Sequence, residues 1–484
     1  MTDHYDAIIV GTGFAGAFFL MRYLEHAPST ARVLVLERGN RDSKAWQMKN
    51  RRTSSLNPEE FFVNKNPQKE WLMSPGFGGN SKCWWGGATR MMPGDFRLQS
   101  RYGVGVDWPL SYDELETYYG DVEATMAVSG PADSPMPRSR PFPLPPHRFS
   151  SPDELLKNTF PNGWFHPATA RASAYTGTRG ICCGNGLCDL CPEDAKFTID
   201  NGLPHLYTDP RVTLKLRADV EEVETRGDLA KGVSYTRDGQ LRSATADLVV
   251  LAASALFNPH ILLRSGITHQ VLGKRLHEQM PVDVCLNLRG VKSYNGSTMI
   301  SGNGYLFYEG DHRREHAACL IETWNSPFVH HRAALRPERN RWTERAYLRF
   351  MFDELPRADN TVTVNAANPR LAEVTFNGYS DYAQRGMNRV PAMIDTLAKA
   401  LPIENIESIS LGRTAAHIQG TVVMGNAAAT SVVDRHLIHH RIRNLVVLGA
   451  SAFPTASPAY PTLTISALSL WAADHLFAAR ARSV

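Results

Sequence analysis

The sequence predicts an α/β protein in which a Rossmann-like domain with a parallel sheet is joined to a second, α+β domain built on an antiparallel sheet. The parallel sheet is predicted from residues 7–36, where an apolar run, a glycine-rich turn, a helical stretch and a second apolar run follow one another. The antiparallel domain is predicted from residues 282–378, whose alternating stretches are typical of strands with one solvated face. At 484 residues the chain also exceeds what a single hydrophobic core usually supports.

The composition indicates a globular protein. Hydrophobic residues make up 43% and charged residues 21% of the chain, which argues against a disordered or fibrous protein. The net charge of +4 is small and no Lys/Arg run is interleaved with aromatic residues, so we expect no nucleic acid partner. The longest apolar runs, such as residues 248–256, are shorter than the roughly 18 residues of a membrane span. The polar start lacks a signal-peptide pattern, which predicts a soluble protein, cytoplasmic by default.

The order of the segments predicts three parts of the chain. Residues 1–275 form the first domain, which contains a proline-rich connection at 129–146 and a cysteine-rich loop at 180–195. Residues 276–404 form an α+β domain built on an antiparallel sheet, and residues 405–484 return to the first domain.

Four further elements fit this division. Residues 212–233 are typical of two antiparallel strands with a turn near 226–228. Residues 248–251 and 444–448 read as buried strands, and residues 461–477 as a long helix with an apolar face.

The glycine-rich turn has the spacing of a dinucleotide-binding site. Residues 11–16 read Gly-Thr-Gly-Phe-Ala-Gly, a GxGxxG pattern between a strand and a helix. Gly11 permits the tight turn, Gly13 lets the backbone approach a pyrophosphate, and Gly16 allows close packing of helix on strand. Glu37 ends the next strand about 20 residues later, where an acid accepts hydrogen bonds from ribose hydroxyls. Together these features predict a Rossmann-like domain.

Motifs spread along the chain are similar to those of one enzyme family. Residues 78–87 (GGNSKCWWGG) resemble its second glycine motif, and residues 444–451 (NLVVLGAS) and 461–465 (PTLTI) resemble its C-terminal signature. Residues 248–259 are similar to the strand and turn that follow the family's inserted hairpin. On these residues the chain resembles the glucose-methanol-choline oxidoreductases.

The resemblance implies an FAD-dependent enzyme that oxidises an alcohol group of a sugar, glycoside or sugar-like cyclitol, with residues 276–404 as the substrate domain. It also implies which residues contact FAD. They are Gly11, Gly13, Phe14, Ala15, Gly16, Glu37, Arg38, Gly79, Asn80, Ser81, Trp85, Gly86, Val220, Ala253, Gly449, Ala450, Thr462 and Leu463.

Two catalytic positions follow from the same resemblance. The family places a histidine at the flavin face within His-x-x-Gly-Thr, which here is His417. Hydride leaves a carbinol carbon readily only if the hydroxyl proton is also removed, and a histidine suits this task as a base. The second position, usually His or Asn, is Tyr460 here, a departure from the family. A neutral phenol is no base at neutral pH, so we expect His417 to be the base and Tyr460 an orienting group.

Four of the seven cysteines, Cys182, Cys183, Cys188 and Cys191, lie within ten residues. Their spacing allows thiolates to converge on one metal centre. The Cys-Pro ending is typical of iron–sulfur ligation, but four thiolates also suit zinc, and both interpretations stay open.

The cysteine loop resembles that of the bacterial FAD-dependent sugar dehydrogenases, whose catalytic subunit carries a [3Fe-4S] cluster. Its last spacing is one residue shorter here, which leaves the three ligands unassigned. The resemblance implies that electrons leave through the cluster to a cytochrome or another acceptor. It further implies a small partner subunit, with which the chain could be co-exported to the periplasm.

Several alternatives remain at this level. The enzyme could be an oxidase that reduces oxygen to hydrogen peroxide, or a flavin-bearing electron-transfer scaffold without turnover. Cys83 precedes a tryptophan near the place where some relatives attach FAD covalently, so it is a candidate for a thioether link or a small buried residue. In the antiparallel domain the side chains of Trp324, Phe352, Asp353 and Glu354 could bind substrate hydroxyls, or could equally be core and surface.

Overall fold

The computed structural model describes residues 3–326 and 336–481, and side chains as far as residue 478. Its strands are β1 (His4–Val10), β2 (Val33–Leu36), β3 (Phe62–Asn64), β4 (Trp164–Phe165), β5 (Val212–Lys215), β6 (Ala218–Arg226), β7 (Leu229–Arg237), β8 (Gln240–Leu251), β9 (Met280–Leu288), β10 (Ile300–Phe307), β11 (Cys319–Trp324), β12 (Arg345–Phe352), β13 (Thr361–Val364), β14 (Ala372–Thr375), β15 (Ile403–Leu411) and β16 (Leu445–Val447). Its helices are α1 (Phe14–His26), α2 (Lys44–Asn50), α3 (Leu98–Tyr102), α4 (Tyr112–Thr125), α5 (Ser151–Thr159), α6 (Ile199–Gly202), α7 (Ser254–Arg264), α8 (Asp381–Met387), α9 (Val390–Leu397) and α10 (Pro461–Ala481).

The first sheet has the strand order β5-β2-β1-β8-β7-β6. Strand β16 also pairs with the C-terminal half of β8, along the edge of β8 opposite to β1. Strands β5, β2, β1, β8 and β16 run parallel, whereas β6, β7 and β8 form an antiparallel meander. In this register Val10 lies between Leu36 and Leu251, so β1, β2 and β8 end at the same edge. Ligands of parallel α/β sheets bind beyond this carboxyl edge.

The second sheet is antiparallel and has the order β15-β9-β12-β11-β10-β4. A small third sheet pairs β13 with β14 and β14 with β3. Strand β4 reaches the second sheet from the first third of the chain. Strand β15 belongs to this sheet as well and crosses the expected boundary between residues 404 and 405. The division into three parts remains a prediction.

Most of the elements expected from the sequence are present. Strand β2 ends the expected segment 7–36, β13 lies in the expected segment 282–378, the hairpin of β6 and β7 turns at Gly227, and α10 begins at Pro461. Helix α1 begins at Phe14, inside the glycine-rich turn, and Gly13 is its N-cap. The proline-rich connection at 129–146 and the cysteine-rich loop at 180–195 contain neither helix nor strand. Within residues 3–326 and 336–481, no helix has the length and apolar character that crossing a membrane requires.

Candidate functional site

A cavity of about 840 Å³ extends from the carboxyl edge of the first sheet to one face of the second. Its volume lies in the range of cofactor and substrate sites. Most of the residues expected to contact FAD line it, namely Gly11, Gly13, Phe14, Ala15, Glu37, Arg38, Gly79, Asn80, Trp85, Val220, Ala253, Gly449, Ala450 and Thr462. His417 and Tyr460 line the same cavity.

Four of the expected residues lie behind the wall of the cavity. Gly16 packs so closely that an added Cβ would lie 2.2 Å from the carbonyl oxygen of Gly11. The hydroxyl of Ser81 donates to the carbonyl of Gly78 at 2.6 Å. Gly86 turns the chain with a φ of 82°, and Leu463 is fully buried in the core. These residues shape the site without facing it.

The glycine turn forms a cradle for a diphosphate. Gly11 has a φ of 102°, and a Cβ there would lie 2.5 Å from the carbonyl oxygen of Ala252, so only glycine fits. At Gly13 a Cβ would meet nothing within 4 Å, which leaves open space in front of the start of α1. No side chain of the described residues caps this helix, so its first N–H groups and the positive end of its dipole face the cavity. The chain therefore fits an anionic dinucleotide here.

Glu37 stands at the end of β2 and is nearly buried. Its carboxylate accepts hydrogen bonds from the amide and hydroxyl of Thr12, at 3.1 and 2.7 Å, and from the amide of Gly39 at 3.0 Å. The acid thus fixes the glycine turn while it also lines the cavity.

Arg38, the next residue, lies between two phenylalanine rings. Its guanidinium carbon is 4.6 Å from the ring centre of Phe61 and 4.2 Å from that of Phe257, and its Nε donates to Asp219 at 2.7 Å. These contacts hold an extended, partly apolar wall at this end of the cavity.

His417 lies in the loop after β15 and is held from two sides. Its main-chain amide donates to Glu278 at 3.3 Å, and its Nδ1 lies 3.2 Å from Oε1 of Gln279. Burial, together with the positive charge of Arg349, lowers the pKa of His417 to about 3. The imidazole is therefore neutral over the physiological pH range, so one ring nitrogen is an acceptor.

Tyr460 stands just before α10, with its ring centre 5.9 Å from that of His417. Its hydroxyl accepts from Asn303 at 3.3 Å and donates to the carboxylate of Glu322. Burial and the neighbouring Glu322 raise the pKa of the phenol well above its usual value. Tyr460 is therefore not a base, and its donor hydrogen is already used.

A row of polar residues that the sequence reasoning missed crosses the second sheet. In the register of the strands, Asn303 on β10 lies opposite Glu322 on β11, Glu322 lies opposite Arg349 on β12, and Arg349 lies opposite Asp283 on β9. Arg349 binds Asp283 through two hydrogen bonds of 2.6 and 2.9 Å. The sequence contained one signal for this row, namely charged residues within otherwise apolar strands. Because alternate residues of a strand share one face, such residues indicate a polar strip on that face.

Tyr347, Arg349 and Met351 illustrate this alternation, since all three line the cavity. Of the four candidates named from the antiparallel domain, Trp324 lines it too. Phe352 lies in the core, Asp353 is paired with Arg313, and Glu354 binds the amide of Ser380. These last three have structural roles.

The loop that carries His417 is anchored by a buried ion pair. Lys69 is 5% exposed and Glu278 is fully buried, and the two side chains are in direct contact. Glu278 also accepts from the amide of Ala415 at 2.8 Å. Neither residue has a local sequence signal, because they lie 209 positions apart.

The four clustered cysteines are only partly brought together. Cys188 and Cys191 are buried, Cys182 is half-buried and Cys183 is exposed. Burial raises the pKa of the Cys188 thiol to about 11, and Cys182 and Cys191 lie close enough to affect it. Over residues 3–326 and 336–481, no group of three or more His, Cys, Asp or Glu side chains is placed to hold a metal ion. As placed, the thiols do not form a ligand set, and the metal assignment remains a prediction.

Cys83 lines the main cavity beside the glycine motif. Burial raises the pKa of its thiol to about 11, which disfavours the thiolate that a covalent link to FAD requires. The neighbouring Lys196 partly opposes this shift, and its ammonium donates to the carbonyls of Lys82 and Trp84 at 2.7 and 2.8 Å.

A dinucleotide cradle and a histidine that meet in one cavity define a dinucleotide-dependent oxidoreductase. Comparison with known proteins specifies the family. Protein-family models described as GMC oxidoreductase match residues 5–281 and residues 356–469 of the chain. The chain belongs to the GMC oxidoreductase family and is an FAD-dependent enzyme that acts on CH–OH groups.

Three curated relatives are similar over nearly their whole length. The fructose dehydrogenase large subunit of Gluconobacter japonicus is 25% identical over 97% of this chain and 97% of that protein. The gluconate 2-dehydrogenase flavoprotein of Pantoea cypripedii is 24% identical, with coverages of 97% and 92%. The 2-methyl-1,2-propanediol dehydrogenase of Mycolicibacterium austroafricanum is 24% identical, with coverages of 98% and 95%.

Two solved structures share the fold. Pyridoxine 4-oxidase from Mesorbium loti has a TM-score of 0.68 and 16% identity, with coverages of 98% of this chain and 99% of that chain. A variant of the formate oxidase of Aspergillus oryzae RIB40 has a TM-score of 0.68 and 15% identity, with coverages of 99% and 98%. At this level of identity the likeness describes the fold alone.

Proposed function

We propose that this protein is a dehydrogenase that oxidises an alcohol group of a sugar, glycoside or sugar-like cyclitol to a carbonyl, with His417 as the base. The observation that carries the proposal is the meeting of His417 and Tyr460, with ring centres 5.9 Å apart, in the cavity that begins at the glycine cradle. The names of two similar proteins, a fructose dehydrogenase and a gluconate 2-dehydrogenase, support the sugar-like substrate class.

When bound, FAD supplies the hydride acceptor. His417 takes the hydroxyl proton of the substrate through its acceptor nitrogen. Because its pKa is about 3, a complete proton transfer from an alcohol before C–H cleavage is strongly uphill. We therefore expect proton removal and hydride departure in the same step. The rate of flavin reduction should then show both a substrate isotope effect, from deuterium on the carbinol carbon, and a solvent isotope effect, from deuterium on the hydroxyl.

The second sheet supplies the wall against which a polyhydroxylated ring would lie. Trp324 meets Trp85 and Tyr347 edge-on, with ring centres 4.9 Å apart in both pairs. Glu322 and the Arg349–Asp283 pair add fixed donors and acceptors beside these aromatic surfaces. Aromatic faces with a few placed polar groups are the usual composition of a site for such a ligand.

Tyr460 is the proposed orienting residue. Its hydroxyl accepts from Asn303 and donates to Glu322, which leaves one acceptor position for a substrate hydroxyl. Its ring is bulky and nearly touches Gly87, where an added Cβ would lie 2.6 Å from Cδ2 of the ring. The ring thereby limits the size of the substrate that reaches His417.

The test is flavin reduction without oxygen, followed at several substrate concentrations with fructose, gluconate, glycosides, cyclitols and simple alcohols. His417→Ala should lower the reduction rate by about 10²-fold or more, the usual contribution of a general base, while FAD remains bound. His312→Ala, a change at a histidine outside the cavity, should stay within a few fold of the parent enzyme. A rate for His417→Ala within a few fold of the parent would remove the base assignment.

The electron acceptor distinguishes this dehydrogenase from an oxidase. We expect an artificial acceptor to sustain turnover, whereas stoichiometric hydrogen peroxide in air would identify the alternative oxidase. Bleaching of the flavin by any alcohol would dismiss the other alternative, a flavin-bearing electron-transfer scaffold without turnover.

An iron–sulfur cluster at Cys182, Cys183, Cys188 and Cys191 is part of the proposal. It is supported by the sequence spacing, and Cys182 and Cys191 each lie close enough to Cys188 to affect the pKa of its thiol. Because the thiols do not converge as placed, no electron-transfer step is derived through the cluster. Iron and zinc analysis of anaerobically purified protein is the test, and stoichiometric zinc without iron would replace the cluster by a structural zinc site.

A small partner subunit and a cytochrome or other electron acceptor complete the proposal, with co-export to the periplasm as the alternative to the default cytoplasmic location. The support is one similar protein whose name describes a large subunit. Co-expression with the neighbouring genes, followed by fractionation and purification on a tag placed on this chain, tests it. Recovery of the chain alone from the cytoplasm would contradict it.

A further inference from the structure

We propose that Gln279 is a positioning residue that fixes His417 in one tautomer, with the proton on Nδ1 and the acceptor lone pair on Nε2. The proposal deepens the proposed function, on which it rests for the role of Nε2 toward the substrate. The tautomer itself exists without turnover and is measurable on its own.

The amide of Gln279 has only one orientation that satisfies its surroundings. The residue is fully buried just before β9, and its Nε2 donates to the carbonyls of Ser457 and Ala459 at 2.8 Å each. Carbonyl oxygens cannot donate, so a flipped amide would bring Oε1 against two acceptors. Oε1 therefore points away from them.

That oxygen meets the catalytic histidine. Oε1 lies 3.2 Å from Nδ1 of His417 and 3.3 Å from Nε2 of Gln419. An amide oxygen can only accept, so the contact with the imidazole requires a hydrogen on Nδ1. A neutral imidazole carries one hydrogen, and burial lowers the pKa of His417 to about 3, which keeps the ring neutral. The remaining nitrogen, Nε2, thus holds the lone pair that a base needs.

The neighbouring residue, Glu278, positions the main chain of the same loop. Its carboxylate accepts from the amides of Ala415 and His417 at 2.8 and 3.3 Å. Two consecutive residues therefore hold His417: Glu278 binds the main-chain amide of His417, and Gln279 binds its imidazole ring. Because Gln279 also binds the carbonyl just before Tyr460, one side chain sets the separation between the two proposed site residues.

Charged groups around His417 set the expected response to a carboxylate at position 279. Arg349 on β12 lowers the pKa of the imidazole, Tyr460 faces it as a neutral phenol, and Glu278 with Lys69 lies at its main chain. A negative charge within about 4 Å of Nδ1 favours the imidazolium. Gln279→Glu keeps an acceptor at Nδ1 but loses the donor to the carbonyls of Ser457 and Ala459, so it should raise the pKa of His417 at the pH values where the new carboxyl is ionised.

The direct test is nitrogen NMR of the FAD-loaded enzyme labelled with ¹⁵N-histidine. The His417 signals are assigned by their loss in His417→Asn. In the parent enzyme we expect Nδ1 to have the shift of a protonated nitrogen and Nε2 that of an unprotonated one. The opposite assignment would overturn the proposal.

Two variants and one control extend the test. Gln279→Leu keeps the size and removes the acceptor, so the single Nδ1–H tautomer should be lost and flavin reduction should slow by at least about tenfold, a part of what a general base contributes. Gln279→Glu should keep the tautomer and raise the pKa of His417 by about one unit or more, moving the acid limb of flavin reduction to higher pH. Gln384→Leu, the same change on the exposed side of α8, should leave the tautomer, pKa and rate unaltered.

The outcomes separate this inference from the proposed function. An unchanged tautomer in Gln279→Leu overturns the role of Gln279. If that variant does not fold, the nitrogen shifts of the parent enzyme decide, and a protonated Nε2 of His417 overturns it. A tautomer that responds as expected, combined with full activity of His417→Ala, supports the positioning by Gln279 and removes only the base.

Discussion

Replacing Lys69 by Met should destabilise the protein far more than the loss of an ordinary ion pair. Lys69 is 5% exposed and Glu278 is 0% exposed, and Met preserves the length of the side chain. Removing one partner of a buried pair costs about 3–5 kcal/mol because it strands the other charge. Glu278 keeps its bonds to the amides of Ala415 and His417, so we expect the lower end, about 3 kcal/mol.

Lys65→Met is the matched control. Lys65 is 51% exposed and pairs with Glu373 across 3.3 Å, so this change should cost only about 0–1 kcal/mol. The assay is urea unfolding of the FAD-loaded enzyme, with the free-energy difference taken from the shift in midpoint at an unchanged slope. The double variant Lys69→Met/Glu278→Gln should recover part of the loss, because no unpaired charge remains buried.

A loss for Lys69→Met no larger than that for Lys65→Met would refute the reasoning, because it would mean that Glu278 does not need its partner.

Three further predictions concern the cofactor, the substrate pocket and pH. Glu37→Gln weakens the acceptor of two Thr12 hydrogen bonds, each worth roughly 1.5–3 kcal/mol when the acceptor is charged, so the Kd for FAD should rise about tenfold or more in a fluorescence titration. An unchanged Kd would show that Glu37 does not organise the turn. Gly87→Ala places a Cβ 2.6 Å from the Tyr460 ring, so the ring must shift and the KM for bulky sugars should change more than that for small alcohols. Equal changes for both would contradict a size-limiting ring. Burial lowers the pKa of His277 from 6.5 to about 4, so between these values the unfolded chain binds a proton that the folded chain does not. The free energy of unfolding is therefore highest above pH 6.5 and falls by about 1.4 kcal/mol per pH unit as the pH drops toward 4. His277→Gln should reduce this slope when the free energy of unfolding is measured at several pH values.

The sequence by its own pattern was sufficient to predict the dinucleotide-binding segment of the protein. The segment from Gly11 to Glu37 is one continuous strand–turn–helix–strand unit, and each part follows from nearby residues. Glycine at position 11 is required by a local φ of 102°, and Glu37 ends the strand beside the turn. Such patterns are visible within a short stretch of sequence, which is why this segment could be predicted.

The resemblance of short motifs also located His417 and Tyr460, and the structure brings them into one cavity. It did not indicate what holds them. Gln279 lies 138 positions from His417, and Asn303 lies 157 positions from Tyr460. The tautomer of the proposed base and the engagement of the phenol hydroxyl follow only from these contacts.

Tertiary structure alone decided the substrate wall and the state of the cysteines. Glu322, Arg349 and Asp283 form one row because three strands pair in a particular register, and a slip of one residue would turn them into the core. The four cysteines lie close in sequence, yet their exposure ranges from buried to open because the loop path directs each sulfur separately. Register and loop path depend on many weak contacts between distant segments, whereas a glycine turn can be recognised from its own residues.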